Sequence, residues 1–408
     1  MNVQYLELFN CILYITTLYT YWKKYNRIDC YFVLIFAYTF TSIMCFFARS
    51  YGMIGSDISG TLKRDTTLIP YLYLYICILI CFSPLKSLSI DNSSFGVKNT
   101  FPIKLLTWVY IIAGIGSVIY SYPKVMEIVQ GGEYALVRQA LYADDGTAMT
   151  YSSQAERILK NIQNVLNPFG IIMCFYYLTN KKSKIIIALL FTAWIGREFV
   201  DSALTASRGM IANLLLKLLL IFVFFKQAFD EKIRRLFVLS SIVLSIPLLI
   251  YMIAVSISRF DDDASSSIFY YLGHSMSTFN ANVMGTMHDF AGGKLMFREI
   301  LDQLGLDSRI NSSALGMTHG TGFYTYIGTF YIDFGPVGTL FMCFLINRLL
   351  WHFVKKRQFM FSDMVIILYA ITFFMNGVFV IGGGYAWTWL MIFLLYFLLR
   401  MIETKNNI

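Results

Sequence analysis

Charged side chains are scarce in this chain: they make up 14% of its 408 residues, whereas soluble domains carry roughly a quarter. Hydrophobic residues make up 57%, and apolar runs of about twenty residues, long enough to cross a bilayer, recur along the sequence. The short alternating segments of an outer-membrane barrel are absent. The composition therefore excludes a soluble domain and predicts an all-α, polytopic bundle of transmembrane helices.

Cysteines are absent from the long polar loops, because all seven lie in or beside apolar runs. This placement argues against a disulfide framework. The sequence also has no nucleophile elbow, no Walker loop and no His-Glu-x-x-His motif. Three adjacent carboxylates, Asp261, Asp262 and Asp263, fit a solvated loop edge better than a metal site. We therefore expect a protein that works without a metal or a cofactor.

The apolar runs predict about eleven spans within a single integral membrane domain, residues 1–408. The spans are Val3–Tyr21, Tyr31–Ala48, Leu68–Phe82, Leu105–Tyr120, Ile162–Thr179, a sixth from Ile185 to near Arg197, Met210–Phe225, Leu236–Ile257, about Tyr324–Asn347, Met364–Ile381 and Ala386–Leu399. Two polar loops, over residues 122–161 and 258–323, are much longer than the others. The first span is expected to be a retained anchor, because no basic residue precedes it and no small-residue cleavage site follows it.

Basic residues are unevenly distributed between alternate loops. If the loop with Lys23 and every second loop after it are cytoplasmic, that side holds 19 Lys and Arg and 6 Asp and Glu. The rest of the chain holds the remaining 14 and 18, so the split is +13 against −4, which sums to the overall +9. The positive-inside rule then predicts an N-terminus on the outer side of the membrane, a cytoplasmic C-terminus and both long loops on the outer side. The basic balance is thus an orientation signal, and no nucleic-acid partner is expected.

Ionisable residues cluster where the sixth span meets the seventh. Arg197 and Asp201 stand four residues apart, on one helical face, and can pair; ionisable groups at this depth usually line a polar cavity. Arg208 sits at the hairpin tip, where a guanidinium and a helix N-terminus can bind phosphate together. Ordinary interfacial charge is the alternative interpretation. Lys217 falls midway along the seventh span, and the sequence leaves open whether it faces a cavity or reaches the interface.

The longer outer loop carries the other candidates. Arg259 ends the eighth span, Arg298 stands in an amphipathic stretch that is expected to lie on the membrane face, and Arg309 follows it. His319 stands in Thr-His-Gly-Thr-Gly, where small neighbours let a ligand approach closely. A neutral imidazole there suits a base for a hydroxyl group. Each of these residues can equally be ordinary polar surface, and the residues alone leave both interpretations open.

Short patches of the sequence resemble the O-antigen polymerase (Wzy-type) family of oligosaccharide repeat-unit polymerases and the related O-antigen ligases. Ser207-Arg208-Gly209, entering an apolar span, resembles the Ser-Arg-Gly patch of these enzymes. His319, followed by a glycine-rich span with Asp333-Phe334-Gly335-Pro336-Val337-Gly338, resembles their His-containing loop and Gly-x-x-Gly helix start. The number of spans and the two enlarged outer loops are similar to their topology.

The resemblance implies a GT-C-like fold and a metal-independent glycosyltransferase at the periplasmic face of the bacterial inner membrane, so that the outer N-terminus and the two long loops would be periplasmic. It would polymerise oligosaccharide repeat units linked to undecaprenyl pyrophosphate, with the bilayer and a chain-length regulator as partners. Arg208 and Arg298, with Arg259 in reserve, would bind the pyrophosphate, and Arg208 would share in catalysis. His319 would contact or deprotonate the attacking sugar hydroxyl. Supporting roles are expected for Arg197, Asp201, Arg309 and Asp333.

Three other functions stay open. An O-antigen ligase would use the same chemistry with lipid A–core as acceptor. A lipid-linked oligosaccharide flippase, or another transporter, would have short loops on both sides and charges through the midplane. The two long outer loops argue against a transporter, and Lys217 argues for one. A polyprenyl-phosphate-sugar glycosyltransferase would carry an adjacent acidic pair in its first outer loop, where Asp57 and Asp65 stand apart.

Overall fold

The computed structural model describes residues 3–54, 62, 64–90, 100–131, 153–180, 183–205, 208–260, 264–311, 314–316, 323–356, 358–379 and 384–403. Every regular element in these ranges is helical. The predicted spans all fall on helices, and the third, Leu68–Phe82, coincides with one. The prediction of an all-α protein is therefore confirmed for these ranges.

The helices are numbered here in chain order. They are α1 (Val3–Tyr25), α2 (Cys30–Ser50), α3 (Leu68–Phe82), α4 (Phe101–Gly131), α5 (Gln154–Thr179), α6 (Lys184–Phe191), α7 (Arg197–Leu204), α8 (Arg208–Phe225), α9 (Glu231–Phe260), α10 (Ala264–Thr278), α11 (Arg298–Gln303), α12 (Thr325–Val354), α13 (Phe361–Asn376) and α14 (Tyr385–Ile402). A 3₁₀ turn, Ser83–Ser87, prolongs α3. One π-helical turn, Thr192–Gly196, joins α6 to α7, and another, Phe279–Met284, prolongs α10.

Several of these helices are suited to a bilayer. Among the described residues, 6 helical segments are long and apolar enough to cross a membrane: Cys30–Ser50, Leu68–Ser87, Phe101–Gly131, Glu231–Tyr251, Thr325–Val354 and Tyr385–Ile402. Large apolar side chains on α9, such as Leu239 and Val243, are exposed, as a lipid environment allows. The chain is therefore a helical membrane protein. The eleven spans, the GT-C-like arrangement, the inner-membrane location and the orientation of the termini stay predictions.

The helices group into two compact units. Unit 1 comprises Met1–Leu88, Ser265–Lys355 and Ala370–Leu390, and unit 2 comprises Ser89–Ala264, Lys356–Tyr369 and Met391–Ile408. The single integral domain expected from the sequence stays a prediction, and each unit is described by itself.

In unit 1 the chain reverses direction inside α12. Gly335 has φ 66° and ψ −170°, a conformation that favours glycine, and Pro336 lacks the N–H that would continue the helical hydrogen bonds. Tyr326 and Cys343, on opposite sides of this break, are electrostatic neighbours, whereas a continuous helix would set them roughly 25 Å apart. The ninth predicted span, about Tyr324–Asn347, is therefore interrupted at Gly335 and forms a helical hairpin, and its crossing of the membrane as one span stays a prediction.

Contacts with α3 show that the two halves of α12, before and after Gly335, run in opposite directions. After the break the chain runs parallel to α3, since the Tyr73 hydroxyl donates to the Pro336 carbonyl at 2.5 Å and the Asn347 amide donates to the Ile80 carbonyl at 2.6 Å. Before the break, Tyr331 packs on Tyr73 near the start of α3, with ring centroids 6.1 Å apart. The first half therefore ends, and the second begins, beside the same turn of α3.

In unit 2, α5 begins earlier than the sequence predicted. The Ser153 hydroxyl accepts from the Glu156 N–H at 3.1 Å and caps the helix at Gln154, within the loop predicted over residues 122–161. The helices of this unit also approach closely. A Cβ on Gly114 of α4 would lie 2.6 Å from the Ala193 Cβ in the π-helical turn. This close contact brings polar side chains of α4, α5 and α7 together in the interior of the unit.

Candidate functional site

The predicted site residues divide between the two units. Unit 1 contains Arg298, Arg309, His319 and Asp333, and unit 2 contains Arg197, Asp201, Arg208 and Arg259. His319 lies outside the described residues. Arg208 is the first residue of α8 and Arg259 lies in α9, but their side chains are outside the described part of the chain. The convergence of Arg208 and His319 on one site therefore stays a prediction.

Asp333 ties the longer loop to the break in α12. Its carboxylate accepts from the Leu295 N–H at 2.9 Å and the Met296 N–H at 2.7 Å, and the Tyr385 hydroxyl donates at 3.4 Å. Asp333 is 1% exposed, so the burial of its charge is offset by backbone donors and a neutral hydroxyl. We call residues 285–297 the cap segment, because Asp333 holds it against the end of the first half of α12.

Further contacts seat the cap segment on its neighbours. A Cβ on Gly335 would lie 2.6 Å from the Phe290 ring, so this ring covers the break closely. Two main-chain N–H groups of the cap segment donate to α12: Ala291 to the Ile332 carbonyl at 2.8 Å and Gly292 to the Asp333 carbonyl at 2.9 Å. Two carbonyl groups of the cap segment accept from the start of α14: Leu295 from the Gly384 N–H at 2.8 Å and Met296 from the Ala386 N–H at 3.1 Å. The cap segment is therefore held both by α12 and by the start of α14.

Basic side chains lie on and beside the cap segment. Lys294 pairs with Asp307 at 3.1 Å, and both side chains are partly exposed, at 40% and 67%. Arg298 directly follows the cap segment, begins α11 and is exposed. The pKa of the neighbouring Glu299 is raised because burial and the charge of Asp302 outweigh the attraction of Arg298. An exposed guanidinium next to a fixed segment is suited to binding phosphate oxygens.

Arg309 lies further along the same loop and is exposed. Its backbone N–H donates to the Asp307 carboxylate at 3.1 Å. Together with Lys294, this hydrogen bond lowers the pKa of Asp307. The contacts of Arg309 thus order the turn after α11.

The end of α2 and the loop that follows it add two cations to which the sequence analysis gave no role. Arg49 pairs with Asp65 at 2.9 Å. Arg64 lies against the start of the cap segment, since a Cβ on Gly285 would be 2.6 Å from its Nε. Glycine at 285 therefore leaves the space that this guanidinium needs. Arg64 stands in a polar loop and in no motif, so only the fold could connect it with the cap segment.

Unit 2 holds an ionic network in its interior. Arg197 and Asp201 pair as their four-residue spacing predicts, with Nε 2.6 Å from Oδ2. The other Asp201 oxygen pairs with Lys160 at 2.9 Å. The Arg197 guanidinium also donates to Ser117 Oγ at 3.2 Å and to Gln163 Oε1 at 3.3 Å. Lys160 and Arg197 are 4% and 5% exposed, so the Asp201 carboxylate compensates charge on two buried cations.

Lys217 belongs to the same part of unit 2. It pairs with Glu198 at 2.8 Å, and the two side chains are 15% and 19% exposed. The question that the sequence left open is therefore answered by an ion pair between α8 and α7. The network joins α4, α5, α7 and α8, and its pairing favours a structural role.

Lys160 was missed because the fifth span was predicted to begin only at Ile162, and Gln163, inside that span, stands in no motif. A signal was present: Ser153-Gln-Ala-Glu156 is the Ser-x-x-Glu pattern that precedes a helix. Read in this way, the helix would start at Gln154, and Lys160 would lie inside it.

Among the described residues, no group of three or more His, Cys, Asp or Glu side chains is arranged to hold a metal ion. Asp261, Asp262 and Asp263 lie outside them. The expectation of a metal-free site therefore stays a prediction.

Comparison with protein-family models, with curated proteins and with solved structures finds no match. The resemblance to the O-antigen polymerase family thus depends on the short patches and the topology given above.

Proposed function

We propose that this chain is a membrane glycosyltransferase of the O-antigen polymerase type, which joins oligosaccharide repeat units carried on undecaprenyl pyrophosphate. The observation that supports this most is the cap segment, which Asp333 holds on a break in a membrane helix. Arg298 is exposed directly after it, and Arg64 lies against its start. Cations fixed at the end of membrane helices suit a lipid-linked pyrophosphate, whose charge has to be neutralised where lipid meets water.

The proposed reaction is a displacement at the anomeric carbon of the donor sugar. A hydroxyl oxygen of the acceptor sugar attacks this carbon, and the bond to the pyrophosphate oxygen breaks. Undecaprenyl pyrophosphate leaves with the bonding electrons, and the hydroxyl proton passes to His319. Arg208 and Arg298, with Arg259, would stabilise the leaving pyrophosphate. Removing one preorganised donor of this kind costs about 10²–10³ in rate.

In this proposal Asp333 is a positioning residue. It binds the backbone of Leu295 and Met296, two and three residues before Arg298, and so it orients the guanidinium without touching the substrate. Ordering of this kind matters because a donor displaced by about 1 Å can lose roughly 10² in rate.

The lipopolysaccharide pattern of cells tests the proposal. In a strain that lacks the gene, Arg298→Ala, Arg208→Ala and His319→Ala should each yield a single repeat unit on the core, whereas the wild type restores the long ladder. Arg235→Ala is the matched control, because Arg235 is exposed on α9 and pairs with the exposed Glu231. A full ladder from all three variants at normal expression would contradict the assignment of the site. Loss of even the single unit in the deletion strain would point to a ligase.

A transporter of lipid-linked oligosaccharides is the second candidate. The helical hairpin in α12 and the buried ion pairs of unit 2 favour it, because broken helices and paired ionisable groups are typical of transport pathways. In that case the deletion strain would accumulate repeat units on the cytoplasmic leaflet. Their accessibility to a membrane-impermeant label from the periplasm separates the two functions.

A further inference from the structure

One end of unit 1 carries more cations than carboxylates. The end of α1 and the turn after it contain Lys24 and Arg27, and Lys86 lies in the 3₁₀ turn Ser83–Ser87. Asp29 is the only carboxylate in the described part of these two turns. This end of the unit therefore keeps a net positive charge.

The Asp29 carboxylate is already used by neighbouring groups. Its Oδ2 accepts from the Tyr21 hydroxyl at 2.5 Å and pairs with Arg27 Nε at 2.8 Å. Its Oδ1 accepts from the Phe32 N–H at 3.0 Å and so caps α2. Asp29 therefore fixes the turn between α1 and α2, and Arg27 with it.

The two lysines lie over aromatic rings. Lys24 Nζ is 5.1 Å from the centroid of the Tyr25 ring, and Lys86 Nζ is 4.8 Å from the centroid of the Tyr31 ring. Neither lysine forms an ion pair within the ranges that the structure describes. A ring attracts a cation but does not cancel its charge, so both ammonium groups stay positive and can donate to a ligand.

Arg27 connects the two lysines. Its Cζ lies 5.3 Å from the centroid of the Tyr25 ring, over which Lys24 also lies, and its Nη2 donates to the Lys86 carbonyl. The side chain is 35% exposed, and its Nη1 donates to no group in the part of the chain that the structure describes. A guanidinium held in this way can direct its remaining N–H groups at phosphate oxygens.

Three tyrosine rings hold these cations in place. Tyr21 packs on Tyr25 and on Tyr31, with ring centroids 4.7 and 4.5 Å apart. Tyr21 and Tyr31 are buried. The positive-inside rule accounts for cations at this end, but it does not require that they be fixed against one another. We use the name cation cluster for the three positive side chains, Lys24, Arg27 and Lys86.

Large apolar side chains near the cation cluster face outwards. Tyr19, Trp22 and Ile28 are 57%, 49% and 48% exposed. The helix α1 ends here and α2 begins here, both are predicted spans, and Tyr and Trp are enriched where a span meets water. The cation cluster is therefore expected at the level of the lipid headgroups.

We propose that the cation cluster binds the headgroup of an anionic phospholipid. The lipid phosphate would accept from Arg27 Nη1 and from the two ammonium groups, and the acyl chains would lie along Tyr19 and Trp22. A zwitterionic phospholipid carries a similar phosphate, but its own cationic group would meet three positive side chains and weaken its binding. In the predicted orientation the site faces the cytoplasmic leaflet, where anionic lipids attract basic segments.

The first test measures lipid binding by the purified full-length chain in detergent, without any glycan substrate. The protein is immobilised, and the retention of ¹⁴C-labelled phosphatidylglycerol is compared with that of phosphatidylcholine with the same acyl chains. Phosphatidylglycerol should bind about tenfold more tightly or better. Excess inorganic phosphate at constant ionic strength should not displace it. Equal affinity for the two lipids would overturn the proposal, and so would displacement by inorganic phosphate, which would indicate a site for the free anion.

Variants then locate the lipid. Lys24→Ala and Lys86→Ala each remove one cation and should weaken phosphatidylglycerol binding about fivefold, whereas Lys86→Arg keeps the charge and should retain binding. Lys355→Ala is the matched control, because Lys355 Nζ also lies over a ring, 4.9 Å from the Trp351 centroid; it should bind the lipid as the wild type does. Unchanged binding in both cluster variants would overturn the proposal. An equal loss in Lys355→Ala would do so too, since total charge would then govern binding.

Discussion

Two aspartates, Asp201 in unit 2 and Asp333 in unit 1, are held in opposite ways. Asp201 pairs with two buried cations, Lys160 and Arg197. Asp333 accepts from backbone N–H groups of the cap segment and from a tyrosine hydroxyl. In unit 2 the charges are therefore paired with one another inside the protein. In unit 1 the carboxylate needs no cation, so Arg298 next to the cap segment stays exposed.

This difference separates structural charge from charge that a ligand can use. A buried network of paired charges has little left to offer a pyrophosphate, but the loss of one member leaves a buried partner without part of its counter-charge. An exposed guanidinium beside a fixed backbone has the opposite properties, because its removal costs little stability and much binding. Variants in each unit can therefore break or sharpen the comparison.

The largest expected effect on stability comes from Asp201→Ala. Arg197 would stay buried without its counter-charge and Lys160 would lose one of its partners, so we expect a loss of about 3–5 kcal/mol in the free energy of unfolding. The fluorescence of Trp194, which is 1% exposed in the same unit, can follow denaturant unfolding in detergent. A loss below about 1 kcal/mol would show that the network is not the main support of unit 2.

His274 should make the stability of unit 1 depend on pH. Burial lowers its folded-state pKa from 6.5 to about 4, so between these values the unfolded chain binds the proton and the folded chain does not. Stability is then complete above pH 6.5 and falls towards pH 4, by up to about 1.4 kcal/mol per pH unit. His274→Phe keeps a ring against Tyr270 and Phe323 and should flatten the profile.

The control for this titration is His352, which is exposed in the same unit. In His352→Phe the unfolding free energy should depend on pH between 4 and 6.5 with the same slope as in the wild type. Equal slopes for the wild type and His274→Phe would mean that the buried imidazole does not govern this pH range.

Two glycines with left-handed backbones test how tightly the cap segment covers the break. Gly335 and Gly292 have φ of 66° and 64°, but a Cβ at 335 would be 2.6 Å from the Phe290 ring whereas one at 292 would meet nothing within 4 Å. Both alanine variants carry backbone strain of roughly 1–2 kcal/mol. Gly335→Ala should cost about 1–3 kcal/mol more, for the displaced ring. Hydrogen exchange of residues 285–297 should rise in Gly335→Ala, and equal Tm values for the two variants would contradict this packing.

The smallest effect is expected at the surface of unit 2. Glu231 and Arg235 pair at 2.5 Å with side chains 72% and 76% exposed, so solvent screens the pair. Glu231→Gln should change the free energy of unfolding by less than about 0.5 kcal/mol, and less still at high salt. A change as large as that of Asp201→Ala would remove the distinction between buried and exposed pairs.

The sequence predicted the features that depend on local pattern. Continuous hydropathy located α3 to the residue, and the four-residue spacing of Arg197 and Asp201 predicted their pair. The same hydropathy concealed the hairpin in α12, because apolar residues continue through the break at Gly335. The cation cluster was overlooked because Arg27 and Lys86 stand 59 residues apart in the sequence, and only the fold joins them. Contacts of this kind are set by tertiary packing, which no local pattern contains.

The most direct test of the account is polymerisation by the purified protein, supplied with undecaprenyl-pyrophosphate-linked repeat units in detergent or vesicles. The wild type is expected to form products of two or more units and to release undecaprenyl pyrophosphate. Arg298→Ala should be slower by about 100-fold or more, and Arg235→Ala should match the wild type. Absence of any longer product from the wild type, or equal rates for Arg298→Ala and the wild type, would contradict the central claim.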